Sequence, residues 1–228
     1  MTMIQIKTTI VPATSPIKVI AFDLDGVLYP LPQAAYLFAR AIGLKDEYKA
    51  VFVKAKAENL SFRETIIEMA KIWKGVPVDG SLTDIVMSLP MMPGAEEAIR
   101  QLKEWGYHVG CISSGSSQFF MEALAEKLGL DFVFTNVLGH QDDKMDGTVE
   151  YVMGPEQKAE TVSMYLRENG YTLDEFASVG NGENDIYMLR ASRFSIAFNP
   201  MTERVSEAAT TTVESEDLRT VLEYFERM

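Results

Sequence analysis

Two hydrophobic patterns alternate along much of the chain. Short apolar runs, typical of buried strands, occur at 17–23, 107–112, 132–135, 176–179, 194–198 and 210–213. Segments with apolar residues every three or four positions predict helices at 95–105, 116–128, 155–169, 183–191 and 216–227. Strands and helices that alternate at this period favour a parallel sheet with helices on both faces. We therefore predict an α/β fold, a Rossmann-like, doubly wound parallel sheet.

The segment from residue 33 to about residue 89 keeps the helical pattern throughout. Its apolar spacing predicts helices at 33–42, 45–57, 61–73 and 81–88. Proline-containing stretches at 29–32 and 92–94 flank this block and are typical of hinges. We predict an all-helical cap domain over residues 31–92, inserted into a core domain formed by residues 1–30 and 93–228.

Shorter patterns add detail to this outline. Apolar and polar residues alternate at 4–8, which indicates a short edge strand that the following prolines would end. Residues 136–154 are polar with Gly and Asp, a composition that suggests a hairpin. Ser61 followed by Glu64 fits a capping box at the start of the third cap helix.

Two acidic residues end the first predicted strand. Asp23 and Asp25 are two positions apart, so their side chains would point to the same side of a strand. Like charges this close are costly unless a cation compensates, and a hard divalent cation such as Mg²⁺ prefers oxygen ligands. A turn formed by Asp25 and Gly26 is the alternative explanation. From these residues alone, both interpretations remain open.

Three more polar features follow predicted strands or lie at the start of predicted helices. The run SSGS at 113–116 offers hydroxyl and N–H groups that suit a phosphate at a helix N-terminus. Lys158 lies in the first turn of a helix, and the run GNGEND at 180–185 places oxygen ligands in a tight loop. Serine capping, a solvated lysine and an Asn-Gly turn are the plainer alternatives. Because ligands of such sheets bind at the carboxyl ends of the strands, the features together form one candidate site.

The ordered set of motifs resembles the haloacid dehalogenase-like hydrolases over nearly the whole chain from Lys18 onward. The run DLDGV at 23–27 is similar to the first motif of that family, Ser113 to the second, Lys158 to the third and 180–185 to the fourth. The phosphoserine phosphatase branch is the most similar, through EKLGLD at 126–131, QKAE at 157–160 and NDI at 184–186, and through a helical cap after the first motif.

This resemblance implies a Mg²⁺-dependent phosphomonoester hydrolase and a role for each motif residue. Asp23 would attack phosphorus to form an aspartyl-phosphate, and Asp25 would protonate the leaving alkoxide and then activate water. Ser113 and Lys158 would hold phosphate oxygens. The remaining implied groups are metal ligands at Asp23, Asp25 and Asn181, supporting residues at Glu183, Asn184 and Asp185, and a phosphate-binding loop at Ser114 and Gly115.

Some positions depart from the family pattern. Asn181 stands where the family usually has Asp, and Ser114 where the phosphoserine branch has Gly, which would weaken metal binding and stiffen the loop. The Glu and Arg with which that branch reads its amino acid correspond to Pro32 and Ile67, and neither can pair with a zwitterion. Arg63 lies one helical turn from Ile67 and is a candidate substitute, with a surface ion pair to a neighbouring Glu as the alternative.

Composition limits the classes of partner. The chain of 228 residues has a formal charge of −12, from 33 acidic residues against 21 Lys and Arg, so we expect no nucleic-acid or membrane partner. It has one cysteine, Cys111, which fits a reducing compartment, and its first residues lack an apolar signal core. We predict a cytoplasmic protein that acts on a small phosphorylated metabolite, with its oligomeric state left open.

Three functional hypotheses remain at this point. The complete motif set favours a phosphatase. The substitutions at Asn181 and Ser114 leave open a weakened or non-catalytic member that binds a phosphorylated ligand. The run after Asp25 is also compatible with a phosphotransferase such as a mutase, although the long helical cap resembles the phosphoserine branch more closely.

Overall fold

A central sheet forms the middle layer of the molecule. A computed structural model describes residues 17–31 and 33–226 of the chain. Within them, seven strands are arranged in the order β4-β3-β2-β1-β5-β6-β7. The strands are β1 Val19–Phe22, β2 His108–Ser117, β3 Phe132–Gln141, β4 Lys144–Tyr151, β5 Phe176–Gly180, β6 Phe194–Phe198 and β7 Thr211–Val213. All neighbouring pairs are parallel except β3 and β4, so the predicted α/β fold with a doubly wound sheet is confirmed.

The central strand is β1, a four-residue run whose side chains are all buried. It is paired with β2 on one side and β5 on the other. The chain adds strands to one side of β1 as far as β4 and then crosses to its other side. The sheet therefore changes direction at β1, which is where ligands of doubly wound sheets bind.

The helices agree with the predicted pattern at most positions. They are α1 Ala34–Ala41, α2 Lys45–Glu58, α3 Phe62–Ile72, α4 Thr83–Ser88, α5 Ala95–Glu104, α6 Gln118–Leu128, α7 Pro155–Glu168, α8 Ile186–Ala191 and α9 Glu203–Ala208. Short 3₁₀ helices lie at Leu173–Glu175, Glu183–Asp185 and Leu218–Tyr224. The α-helix expected at 216–227 is wrong within the described residues, because this segment is a 3₁₀ helix, and α9 was not predicted.

Helices α1 to α4 lie between β1 and α5 in the chain, as the periodicity predicts. The predicted capping box is present, since the Ser61 hydroxyl accepts the Glu64 N–H at 3.3 Å and Glu64 Oε2 accepts the Ser61 N–H at 2.7 Å. Phe38 of α1 packs against Trp73 and against Phe120 of α6, with ring centroids 5.9 and 6.1 Å apart. The apolar core is therefore continuous between these helices and the sheet layer. The division into core and cap domains stays a prediction.

The hairpin expected at 136–154 is formed by β3 and β4. Asp142 and Asp143 connect the strands with φ values of 52° and 56°, which is typical of a two-residue type I′ turn. The segment that follows α3 pairs with β4: the Val78 N–H donates to the Asp143 carbonyl and the Met145 N–H to the Val76 carbonyl, both at 2.9 Å. The cap helices are thus joined to the hairpin by backbone hydrogen bonds, a contact that no local pattern indicated.

Three further features of the sequence concern the N-terminal segment, membrane-spanning helices and the cysteine. The possible edge strand at 4–8 lies outside the described residues. Across 17–31 and 33–226, no helix is long and apolar enough to cross a membrane. Cys111 is buried in β2 as a free thiol.

Candidate active site

Three neighbouring strands bring the predicted motifs together. Asp23 follows β1, Ser113 lies within β2, and Asn181 follows β5. These strands are adjacent in the order β2-β1-β5, so their carboxyl ends meet at one edge of the sheet. The Asp23 N–H donates to the Val179 carbonyl at 2.8 Å, which holds the first motif against β5. The backbone geometry thus accounts for the spacing of the motifs along the chain.

Lys158 is the polar centre of this edge. It lies in the first turn of α7, and its side chain is completely buried. Its ammonium donates to Asp23 Oδ1 and, at 2.7 Å, to Asp185 Oδ1. Asp185 Oδ2 accepts the N–H groups of Asn181 and Gly182, each at 2.9 Å. The alternative of a solvated lysine is therefore wrong, and both oxygens of Asp185 are used to orient Lys158 and the loop at 180–185.

The site carries more negative than positive charge. Asp23, Asp25 and Asp185 face the single ammonium of Lys158 among the described residues of this cluster. Burial raises the pKa of Asp23 to about 7, and Asp185 adds to this rise while Lys158 opposes it. Burial also raises the pKa of Asp25 to about 6, although the Ala34 N–H bonded to its carboxylate opposes this rise. Burial would lower the pKa of Lys158, but Asp185 and Asp23 outweigh it and raise that pKa, so the lysine is charged.

Asp25 is held at the entrance to α1. The N–H of Ala34, the first residue of this helix, donates to Asp25 Oδ1 at 2.7 Å. Oδ2 of Asp25 lies beside Gly115, where a Cβ atom would come within 2.7 Å of it. One oxygen is therefore fixed by the helix, and the other faces the serine-rich loop.

The serine-rich loop differs from the prediction. Residues 113–116 were expected at a helix N-terminus, but β2 continues to Ser117 and α6 begins at Gln118. The Ser113 hydroxyl accepts the Gly115 N–H at 3.1 Å, which leaves its own proton free to donate. The hydroxyls of Ser114 and Ser116 are buried with no hydrogen-bond partner among the described residues. The loop therefore offers hydroxyl donors from a strand end instead of N–H groups from a helix.

Asn136, which sequence reasoning missed, supports this loop. Its amide Nδ2 donates to the carbonyls of Ser114 at 2.9 Å and Ser116 at 2.8 Å. Its Oδ1 accepts the Met153 N–H at 2.9 Å. Asn136 lies inside a predicted hairpin of ordinary polar composition, so no local signal distinguished it from a turn residue.

The loop at 180–185 separates the predicted supporting residues. The Asn181 side chain is buried against Gly26, whose φ is +88° and where a Cβ would lie 1.9 Å from the amide nitrogen. Asn184 is half-buried, and its Oδ1 lies against Gly182. Glu183 is exposed and bonds instead to Thr202 at 2.6 Å and to Arg204 at 2.8 Å. The structure thus brings Asn181 and Asp185 to the site and directs Glu183 toward α9.

The donor chemistry fits a divalent cation that prefers oxygen. Within the described residues, no group of three or more His, Cys, Asp and Glu is arranged to hold a metal ion. A metal here would depend on the carboxylate of Asp23, the backbone carbonyl of Asp25 and the amide of Asn181, which are hard oxygen donors. The excess of carboxylates over ammonium groups favours a cation at this position. A donor set of one carboxylate, one backbone carbonyl and one side-chain amide is therefore compatible with Mg²⁺.

A cavity of about 280 Å³ lies beside this cluster, between α1, α3 and α4 on one side and α6 with the end of β2 on the other. Gly115, Ser116 and Ser117 form part of its wall. Arg63, the candidate substrate residue, is exposed on α3 and is not part of the cavity wall, whereas Ile66, Met69 and Ala70 of the same helix are.

The family follows from comparison with known proteins. The model of the haloacid dehalogenase-like hydrolases matches residues 17–193. The chain belongs to the haloacid dehalogenase-like hydrolases. The match agrees with the order of the motifs along the sheet edge. It confirms that the sequence resembles this family.

The most similar relatives of this haloacid dehalogenase-like hydrolase include phosphoserine phosphatases. That of Methanocaldococcus jannaschii is 31% identical over 210 residues, covering 91% of this chain and 97% of that protein. That of Archaeoglobus fulgidus is 31% identical over 202 residues, covering 88% of this chain but 58% of the relative, so the chain spans little more than half of it.

Solved structures show the same relationship. The structure of a phospho-aspartyl intermediate analogue of phosphoserine phosphatase has a TM-score of 0.74 and 31% identity, covering 92% of this chain and 99% of that one. A substrate-bound phosphoserine phosphatase has a TM-score of 0.75 and 30% identity, with coverage of 92% and 99%. By sequence and by fold, the chain thus belongs to the phosphoserine phosphatase branch of this family.

Proposed function

We propose that the chain is a Mg²⁺-dependent phosphomonoesterase that acts on a small phosphorylated metabolite through an aspartyl-phosphate intermediate. The observation that carries this proposal is the buried pair formed by Asp23 and Lys158 at the end of β1, with Asp25 two positions further along. The phospho-aspartyl analogue of a similar phosphoserine phosphatase supports the same chemistry.

Asp23 supplies the nucleophile in this proposal. Lys158 holds Oδ1, so Oδ2 is the oxygen that attacks phosphorus. The new bond joins Asp23 Oδ2 to phosphorus while the bond from phosphorus to the ester oxygen breaks. Lys158 and the Ser113 hydroxyl then hold phosphoryl oxygens, and Ser114 and Gly115 complete the loop around them.

Asp25 moves the proton. Its Oδ2 is the oxygen not held by Ala34, and it passes a proton to the leaving alkoxide. The resulting carboxylate takes a proton from water, whose oxygen attacks phosphorus and releases Asp23 and inorganic phosphate. A carboxyl whose pKa burial has raised to about 6 can act in both directions near neutral pH.

The metal site would consist of Asp23, the backbone carbonyl of Asp25 and the Asn181 side chain. When bound there, Mg²⁺ would neutralise part of the charge on the phosphate and the carboxylates. Asp185 supports the site by orienting Lys158, and Asn184 by packing against the loop backbone. Glu183 remains a more distant supporting residue, through its contact with Thr202 and Arg204.

The proposal also includes the cellular location of the chain and its division into domains. We place the chain in the cytoplasm, in keeping with its single reduced and buried Cys111. We assign residues 31–92 to a cap domain and residues 1–30 and 93–228 to a core domain, because α1 to α4 cover the sheet edge that carries the acids.

Phosphate release from a panel of phosphorylated metabolites and 4-nitrophenyl phosphate tests this proposal. The wild type with Mg²⁺ should release phosphate from at least one ester, and a chelator should abolish the release. Asp23→Asn should be at least a thousandfold slower, with Asp174→Asn as a control for an acid outside the site. Equal release by Asp23→Asn and the wild type would overturn the proposal, and an isomerised ester in place of free phosphate would indicate a mutase.

A further inference from the structure

The cavity beside Asp25 is placed to receive the part of the substrate that leaves. Its wall includes Ala35, which follows Ala34, whose N–H donates to Asp25 Oδ1. The wall also includes Gly115, which lies against Asp25 Oδ2. In the proposed reaction Asp25 protonates the ester oxygen, so that oxygen must lie next to Asp25. The alcohol attached to it then extends into this cavity.

The wall of the cavity is largely apolar. Phe38, Trp73 and Phe120 contribute aromatic rings, and Met69 and Val86 contribute aliphatic surface. All five are buried, with exposures of 3% to 8%. Such a wall favours a ring or a branched chain over a small charged group, because a buried charge without a partner is costly.

The charged residues of the described wall are acidic and would repel a carboxylate. Among the described residues that line the cavity, Glu122 and Glu126 carry charge, and both are exposed. No lysine or arginine is part of the described wall. The carboxylate of phosphoserine would therefore find no cationic partner here.

One polar group on the wall has no partner in the protein. The Ser116 side chain is 7% exposed, and its hydroxyl makes no hydrogen bond with any described residue. It lines the same cavity. A buried hydroxyl of this kind is satisfied when a ligand supplies a neutral hydrogen-bonding group.

The volume suits a ring-sized group. A cavity of about 150 Å³ lined by apolar residues is enough to bind benzene, and this one is about 280 Å³. We infer that the substrate is a phosphate monoester of an uncharged, largely apolar alcohol of about the size of an aromatic ring, and not phosphoserine. This inference rests on the proposed phosphatase function.

The first test compares three esters on the wild-type protein with Mg²⁺: benzyl phosphate, O-phospho-L-serine and phosphoethanolamine. We expect the kcat/KM of benzyl phosphate to be at least tenfold higher than that of O-phospho-L-serine and than that of phosphoethanolamine. A higher value for O-phospho-L-serine would overturn the inference, and so would a higher value for phosphoethanolamine, which would show recognition of an amine by Glu122 and Glu126.

A binding measurement separates this inference from the phosphatase proposal. Benzylphosphonate and 2-amino-4-phosphonobutyrate cannot be hydrolysed, and calorimetry with Mg²⁺ reports their affinities without turnover. At least tenfold tighter binding of benzylphosphonate supports the inference even if no ester is hydrolysed, in which case the phosphatase proposal fails by itself. Equal or weaker binding of benzylphosphonate overturns the inference while leaving phosphatase activity intact.

Two arginine variants at apolar helical positions provide a matched control. Ile66 on α3 lines the cavity, whereas Val53 on α2 does not and is 70% exposed. Ile66→Arg should lower the ratio of kcat/KM for benzyl phosphate over O-phospho-L-serine at least tenfold, and Val53→Arg should leave it within twofold. If Ile66→Arg fails to fold, Thr83→Lys on α4 places a cation in the same wall and should have the same effect. An equal ratio in the wild type and a folded cavity variant would overturn the inference.

Discussion

The buried ammonium of Lys158 donates a hydrogen bond to Asp23, which lies 135 residues earlier in the chain. The same ammonium bonds Asp185, and no side-chain surface of this lysine is exposed. The pair thus joins the end of β1 to the start of α7 across the sheet edge. It fixes one oxygen of Asp23 and leaves the other for the attack on phosphorus proposed above, so the pair serves both stability and the proposed chemistry.

Removal of Lys158 should leave two buried carboxylates without their counter-ion. We expect Lys158→Met to lower the free energy of unfolding by about 3–5 kcal/mol, measured by urea denaturation of the metal-free protein. Phosphate release should fall at least a hundredfold. Lys103→Met is the control, because Lys103 pairs with Asp131 near the surface and such pairs contribute about 0–1 kcal/mol. Equal losses of stability in the two variants would contradict the role given to Lys158.

Asn136 should matter to both stability and turnover, although it is not a motif residue. Asn136→Ala removes three buried hydrogen bonds to the backbone of Ser114, Ser116 and Met153, so we expect a loss of about 2–4 kcal/mol in unfolding free energy. The kcat should fall at least tenfold because the Ser113 loop loses its support. The exposed Asn169 bonds one carbonyl, and Asn169→Ala should change both quantities little. A normal kcat in stable Asn136→Ala protein would show that the loop does not depend on this amide.

Asn181 should limit the affinity for the metal. Asn181→Asp adds a carboxylate where an amide now faces Gly26, so we expect the dissociation constant for Mg²⁺ to fall about tenfold, measured by calorimetry. The half-buried Asn184 is not a suitable comparison, because it packs in the same loop. Asn59→Asp, at the end of α2, adds the same charge elsewhere and should leave the affinity unchanged. Tighter binding in both variants would point to general charge instead of ligation.

The thermal stability of the metal-free protein should fall as the pH rises from about 5 to about 7. Burial raises the pKa of Asp25 to about 6 and that of Asp23 to about 7, from a usual value of 3.8. Groups whose pKa is higher in the folded state take up protons on folding, so deprotonation of the two carboxyl groups destabilises the fold by about 3–4 kcal/mol over this range. Exposed acids with lowered pKa values, such as Glu64, are already ionised there and do not oppose the trend.

Thermal unfolding with a chelator and with Mg²⁺ measures this dependence. The Tm with chelator should decline toward neutral pH, and Mg²⁺ should restore it more at pH 7 than at pH 5. The Asp25→Asn variant should show a shallower decline. A Tm that rises with pH in the presence of chelator would contradict the charge balance described for the site.

The sequence allowed the sheet, the cap helices and the strand-end motifs to be predicted, because these depend on local patterns. The buried run of β1 followed by Asp23, and the spacing of α3 with its capping box at Ser61, are patterns of this kind. The strand through Ser113 was predicted too short, because the run of Ser and Gly that ends it has low strand propensity. The pairing of Ser117 with Asn136 on the neighbouring strand overrides this local preference.

Contacts between distant segments could not be predicted from such patterns. Lys158 looked like a surface residue in its own helix, and its burial depends on Asp23 and Asp185 in other segments. Glu183 faces α9, a short helix that the apolar spacing did not indicate. The pairing of residues 75–78 with β4 likewise arises from the position of the cap over the hairpin.

A phosphoryl group trapped on Asp23 would identify this residue as the nucleophile. In Asp25→Asn protein with Mg²⁺ and 4-nitrophenyl phosphate, the first step needs little acid catalysis because nitrophenolate is a good leaving group, whereas the second step lacks its base. Acid quenching followed by mass spectrometry should show one phosphoryl group on the peptide that contains Asp23, in proportion to the nitrophenolate released in the first turnover. Release of nitrophenolate with Asp23 unmodified, or with the phosphoryl group on another residue, would contradict the account.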